Sequence, residues 1–299
     1  MIPLINGMIG GLLILWHVAV FAAESAGTTY PFLDLQVTPR AQGLGGAVSA
    51  WQAEAGSVLS NPASLAGALV NEVQVMQTQP IFDSNYYLIT AILDSGWGLA
   101  WSQQTMTDIS LTSTSSAVAT SDVTSEGSST YMANAVTLAK GFNLGDHWAS
   151  GISLSGFYED FSNVSYGQGY GVSMTLGFLW DKKIALVFKD LLNLSKWNSG
   201  GWERASPEAR LGAMMGLTDW WDVAVEARRR FSGSAPFTGH AGAELRLLDF
   251  VALRAGYDDG VLTAGTGLLL GPVKLDAAYE AASNSTYAER VRVGAGLVF

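Results

Sequence analysis

The stretch "RAQGLGGAVSAWQAEAGSVLSNPASLAG", residues 40–67, gathers Gly43, Gly45 and Gly46 behind Arg40 and closes on Asn61, Pro62 and Ala63. Glycines so clustered cradle phosphates when their backbone amides converge on an anion. A Walker loop needs Lys and then Ser or Thr after its last glycine, and "GLGGAVSA" has neither. A dinucleotide fingerprint needs a βαβ unit around it, whereas the chain downstream alternates as antiparallel strands do. The other residues able to do chemistry are few. The 3 histidines are His17, His147 and His240. His240 shares a predicted strand face with Glu244 and imitates an acid–base pair, but charges crowd that face and such pairs arise there by chance. Without Cys there is no thiolate nucleophile, thiolate metal site or disulfide. No cluster has metal-ligand spacing. The expectation is a protein that is not an enzyme and carries neither metal nor cofactor.

The elements that position these residues follow from composition and period. The chain has 299 residues, 34 of them Gly, only 14% charged, and a mean hydropathy of +0.22. Soluble domains usually carry about 25% charged residues. Beyond the first two dozen residues, no apolar run approaches the roughly 20 residues of a membrane helix. A chain this apolar without a spanning helix points to a closed transmembrane β-barrel. The net charge of −10 excludes nucleic acid as a partner. Met8 to Phe21 is apolar and is followed by a small-residue exit near Ala22, so residues 1–22 are expected to be a cleaved signal peptide.

From Glu72 to Phe299 the chain divides into short segments with a period of two. In "ERVRVGAGLVF" Val291, Val293, Ala295, Leu297 and Phe299 share one face, and Arg290, Arg292, Gly294 and Gly296 share the other. Marking every such segment gives an all-β fold, an antiparallel barrel of about 14 strands spanning 72–299. The long connections, 107–129 and 191–207, fall on one side and tight turns on the other, as in bacterial outer-membrane barrels. The apolar face should meet lipid. The lumen should then hold Asp222, Glu226, Arg228, Arg230, His240, Glu244, Arg246, Arg254, Lys274, Asp276, Glu280, Arg290 and Arg292. This set reads either as an internal salt-bridge network or as a lining that sorts what passes. Trp97, Trp101, Trp148, Trp180, Trp220 and Trp221 lie near segment ends, where an interfacial girdle belongs. The Ser/Thr-rich 107–129 segment reads as a solvated linker, and Trp197 and Trp202 mark the second loop as a candidate partner surface.

Residues 23–71 precede the barrel and alternate weakly, so their expected place is inside the lumen, as a hatch. "PFLDLQVTPRAQGLGGAVSA" followed by "SNPASLAG" resembles the N-terminal region of PorV/PorQ-like outer-membrane proteins, which belong with the FadL-type transporters. Arg40, Gly43, Gly45, Gly46, Asn61, Pro62 and Ala63 carry the match, and "YGVSMTLGFLW", "WERASPEARLGAMMGL" and the C-terminal strands extend it. The resemblance implies a fourteen-stranded barrel with an N-terminal hatch, and Phe299 as a signal read by the barrel-assembly machinery. It further implies an outer-membrane position among lipid, with both termini periplasmic. Its function would be passage of a hydrophobic small molecule, which in FadL-like proteins leaves sideways beside the hatch. Gly-rich "GQGYG", 167–171, is compatible with such an opening, since it weakens pairing and can mark a bulge or kink, but glycine kinks are equally how any barrel bends. The alternative the resemblance allows is a non-transporting component of a secretion or surface-attachment system that binds secreted or surface proteins. Several outer connections are shorter than in those relatives.

Overall fold

The computed structural model describes residues 31–35, 37–51, 53–79, 84–114, 123–232, 235–282 and 289–299. The leader expected at 1–22 lies outside them. The described chain opens with short helices α1 (Pro31–Asp34), α2 (Pro39–Gly43) and α3 (Ser57–Ser60), followed by a 3₁₀ turn at Pro62–Gly67. Strands β1 (Glu72–Thr78), β2 (Ser84–Ile92), β3 (Trp97–Thr114), β4 (Val123–Asn143), β5 (Trp148–Phe161), β6 (Gln168–Trp180) and β7 (Ile184–Trp197) follow. A two-residue β8 (Trp202–Glu203) precedes β9 (Glu208–Thr218), β10 (Trp221–Arg230), β11 (Phe237–Leu248) and β12 (Val251–Asp258). The chain ends with β13 (Val261–Leu270), β14 (Val273–Glu280) and β15 (Arg290–Val298).

Each wall strand pairs antiparallel with its neighbour, and β1 closes the ring on β15, with Glu72 opposite Val298 and Thr78 opposite Arg292. With β8 set aside as a tab on β7, the described residues form a closed fourteen-stranded barrel. No described helix is long and apolar enough to cross a membrane, so any crossing is made by strands. Closure removes the unpaired edge that would be intolerable in lipid.

Alternation sets the two faces. On β10, Val225 stands 59% exposed on the outside while Ala224 and Glu226 are buried inside. On β15, Val291, Val293 and Leu297 point out, and Arg292 is buried. The tryptophans at the tight-turn rim, Trp97, Trp148, Trp180, Trp220 and Trp221, are exposed outward. Tyr158, Tyr170, Phe237, Tyr257 and Tyr279 are exposed near the opposite strand ends. From Trp148 to Tyr158 along β5, about 3.3 Å per residue at a tilt of roughly 40° gives an apolar band of roughly 25 Å.

Two expectations for the loops are corrected. The 107–129 segment is not a linker: β3 and β4 continue through most of it as a ribbon, with Ile109 opposite Ser129 and Ser110 opposite Ser128. Thr and Ile suit strands, and a register shift after Met106, with Asp108 at φ 58°, absorbs the break in alternation. The 191–207 connection is likewise mostly strand. Asn193 and Ser195 turn inward and Leu192 outward along the extension of β7, and β8 folds back onto it, with Ser195 opposite Glu203. Nor does "GQGYG" open the wall, since Gly169 is paired with Glu159 on one side and Trp197 on the other. Its glycines make room for rings: a Cβ on Gly169 would lie 2.9 Å from the Trp197 indole, and one on Gly171 2.4 Å from the Phe157 ring. The register break between β6 and β7 comes lower, between Met174 and Leu176, where β7 carries Asp190 at φ 54°.

Candidate functional site: the interface between lumen segment and wall

Residues 31–67 sit within the ring, and two kinds of contact hold them. The first is charge, on the β9–β15 side. Arg40, on α2, donates from Nε and Nη2 to the two oxygens of Glu244, both at 2.9 Å, and from Nη1 to Glu54 Oε2 at 2.9 Å. Its guanidinium also lies 5.1 Å above the Trp51 ring. Arg254 bridges Glu244 at 2.7 Å and Asp276 at 2.6 Å. Lys274 joins Glu72 at 2.9 Å and Glu54 at 3.4 Å. Burial alone would raise the Glu54 carboxyl, but the Arg40 and Lys274 charges outweigh it and hold the carboxyl below the ordinary carboxylate range. Burial alone would lower Arg40; Glu54 and Glu244 instead hold its guanidinium above the ordinary arginine value.

The rest of the lumen set is placed around this centre. Glu226 accepts from Arg228 Nε at 2.6 Å and from the Ser49 amide at 2.9 Å, and Arg228 also donates to the Gly46 carbonyl. His240 Nδ1 lies 2.8 Å from Asp258 and 3.1 Å from the Gly45 carbonyl. Gln42 donates to Glu280, which pairs with Arg290 at 2.6 Å. Arg292 donates to the carbonyls of Leu35 and Val37 at 3.0 and 2.9 Å. Arg230 reaches Asp34 and Glu208. Arg246 pairs with Asp222 at 2.7 Å at the tight-turn rim, away from the segment. Buried ion pairs must offset a large desolvation cost, and here shared partners and backbone bonds do so.

The second kind of contact is glycine against backbone. Gly45 turns at φ 61°, and a Cβ there would meet Tyr257 O at 2.4 Å. In the wall opposite, a Cβ on Gly256 would lie 2.2 Å from Gly45 N, and one on Gly242 2.4 Å from Leu44 O. On the β4–β6 side, a Cβ on Gly177 would lie 2.0 Å from Asn61 Oδ1, and one on Gly151 2.2 Å from the Pro62 carbonyl carbon. Asn61 donates to Ser49 O at 2.7 Å and accepts from the Ala63 amide at 3.0 Å, which caps the turn that Pro62 begins. The extended backbone of Asn61 before proline also stops α3.

Away from these seats, a gap remains between the segment and β4–β7. A cavity of about 20 Å³ lies there, lined by Leu33 and Val58 from the segment and by Ser153, Ser173, Thr175 and Asp190 from the wall. It has room for about one water. Above it, Phe32 and Leu33 pack on Tyr131, Ala133, Ala135 and Phe157.

Several members of this interface escape sequence reading. Glu72 and Gln74 alternate with Val73 and Val75, and Glu208 and Arg210 with Ala209 and Leu211, so period two held the signal for them. Asn193 and Ser195 keep the inward parity of Ala185 and Val187, whereas Asp190 lies on the outward parity and had no signal, because the bulge turns it inward. Trp197 stacks within the wall, 6.4 Å from Phe161, whereas Trp202 is 66% exposed and holds Lys196 5.6 Å over its ring. Phe299 is exposed, and its backbone exchanges hydrogen bonds with Asn71 at 3.0 and 2.9 Å.

The closed fourteen-stranded wall around the chain's own N-terminal segment matches FadL-type barrels in fold. The chain superposes on the toluene transporter TbuX of Ralstonia pickettii with a TM-score of 0.58 at 14% identity, over 87% of this chain and 97% of that one. It superposes on the toluene transporter TodX of Pseudomonas putida with a TM-score of 0.57 at 11% identity, over 87% and 96% of the two chains. A FadL homologue from Pseudomonas aeruginosa gives a TM-score of 0.56 at 10% identity, over 88% and 98%. At such identities the likeness is one of fold. No family profile matches the chain, and no curated protein matches it in sequence.

Proposed function

We propose that this protein is a bacterial outer-membrane channel that passes a hydrophobic small molecule, with residues 23–71 as its hatch. The observation that carries the reading is the unequal hold on that segment. Charges crowd its β9–β15 side, and glycine seats hold it on both sides, at Gly242 and Gly256 and at Gly151 and Gly177, while around Leu33 and Val58 it faces β4–β7 across a cavity. A water-sized cavity is a closed state, so passage requires the segment to shift against β4–β7. The named functions of the TbuX and TodX structures, toluene transporters, support this class of cargo. In this reading the tight-turn rim and both termini are periplasmic, and Phe299 is the residue the barrel-assembly machinery reads.

The salt-bridged lumen favours a second reading, a component of a secretion or surface-attachment system that does not transport. Its partner surface, for secreted or surface proteins, would be the β7–β8 hairpin that presents Trp202.

Mass spectrometry of lipophilic material from the purified barrel, beside a variant lacking residues 23–71, separates the two. Transport requires a defined hydrophobic molecule that co-purifies with the intact protein and is lost from the variant. Detergent and bulk lipid alone in both samples would contradict it and direct the search to partners of the hairpin.

A further inference from the structure

The bulge in β7 leaves a group of polar side chains buried without partners. Asp190 is 3% exposed; its Oδ1 accepts from Ser173 Oγ at 2.5 Å, and its Oδ2 bonds nothing. Lys189, which lines the same cavity, is engaged with Asp34 at 2.7 Å. Asn193, 4% exposed, has neither side-chain atom bonded, and the hydroxyls of Ser195 and Ser206 are likewise unbonded. An unmade hydrogen bond in a buried site is costly, so such groups persist where something else satisfies them. Asp190 and Ser173 line the cavity between wall and segment, whose volume of about 20 Å³ matches one hydroxyl or amino group rather than a whole ligand. Leu33 lines the same cavity and belongs to the apolar cluster of Phe32, Ala135 and Phe157. Apolar surface therefore continues directly from the polar end.

Resting on the transport reading above, we infer that the cavity beneath the β7 bulge is a head-group site, which selects amphiphiles carrying an uncharged hydrogen-bond donor and rejects carboxylates. Asp190 Oδ2 accepts from the head group, and the apolar remainder lies along Leu33 and Phe32. The Asp190 charge repels an anion, because Lys189 is already committed to Asp34.

The test is titration calorimetry of the full-length barrel with toluene, benzyl alcohol and benzoate, against a matched detergent blank. Benzyl alcohol should bind about tenfold more tightly than toluene and more tightly still than benzoate, the scale of one well-made hydrogen bond. Asp190→Asn is tolerated at positive φ and turns the unpaired acceptor into a donor, so it should reverse the order of alcohol and benzoate. If the three bind equally, or if Asp190→Asn leaves the order as it was, the head-group site is refuted and the transport reading stands. If none binds, both fall.

Discussion

Arg40 and Glu244 are 204 residues apart in sequence and share two parallel hydrogen bonds of 2.9 Å, one from Nε and one from Nη2. The pair fastens the lumen segment to the wall at the centre of the charge network. Planar, bidentate recognition of this kind belongs to arginine, and lysine cannot reproduce it. Replacing Arg40 by Ala leaves Glu244 and Glu54 buried without their main counterion, a loss of about 3–5 kcal/mol. Thermal unfolding of the purified barrel should show the loss, and Arg40→Lys should recover only part of it. A variant melting with the wild type would contradict this role.

The glycine seats make a sharper prediction, because a control lies nearby. Gly256→Ala places a methyl 2.2 Å from the Gly45 amide nitrogen, whereas a Cβ on Gly239 meets nothing within 4 Å. Limited proteolysis should cut residues 35–70 much faster in Gly256→Ala than in Gly239→Ala. The barrel itself should resist in both. Equal rates would mean that the segment does not rest on this seat.

Acid should loosen the segment. The Glu54 carboxyl is held below its ordinary value, so its contribution to stability is complete above the unfolded value of about 4.3 and is lost as pH falls through the folded one. Protection of residues 35–70 from an acid-active protease should therefore drop as pH is lowered from about 5 to 2. Glu54→Gln should already be less protected at neutral pH and flatter below it. Identical profiles would remove Glu54 from the clamp.

The outer face can be tested at Val225, which points to lipid midway along β10. Val225→Arg should cost about 2–4 kcal/mol in reversible unfolding from a bilayer, as a cation at the midplane does. A neutral result would place this face in water.

What sequence made legible here was whatever repeats with period two. The wall strands, their two faces and the inward charges all follow from alternation and from the solvents on either side. Val223, Val225 and Ala227 against Asp222, Glu226 and Arg228 is an example that local reading resolves. The β3–β4 ribbon was missed because Ser and Thr serve strands and linkers alike, and composition cannot separate the two. The β7 bulge was missed for a different reason. Three residues of β7, Lys189 to Leu191, face Thr175 alone, and Asp190 at positive φ is turned inward from the outward parity. The pairing partner that forces this lies outside any local window. Glycine seats such as Gly177 against Asn61 were invisible too, since a strand glycine does not announce what approaches it.

In the proposed function the segment must move for a hydrophobic molecule to pass, and the absence of native Cys makes that motion directly testable. A Cβ on Gly98 would lie 2.5 Å from Val58 Cγ2, and Val58 lines the cavity toward β4–β7, so a disulfide between these two positions, which needs Cβ atoms about 3.8 Å apart, would pin the side that must shift. In cells carrying Val58→Cys with Gly98→Cys, uptake of labelled toluene should stop when the pair is oxidised and return when it is reduced. Uptake that is equal in the two states would contradict a moving hatch, and uptake no faster than in cells without the protein would contradict transport itself.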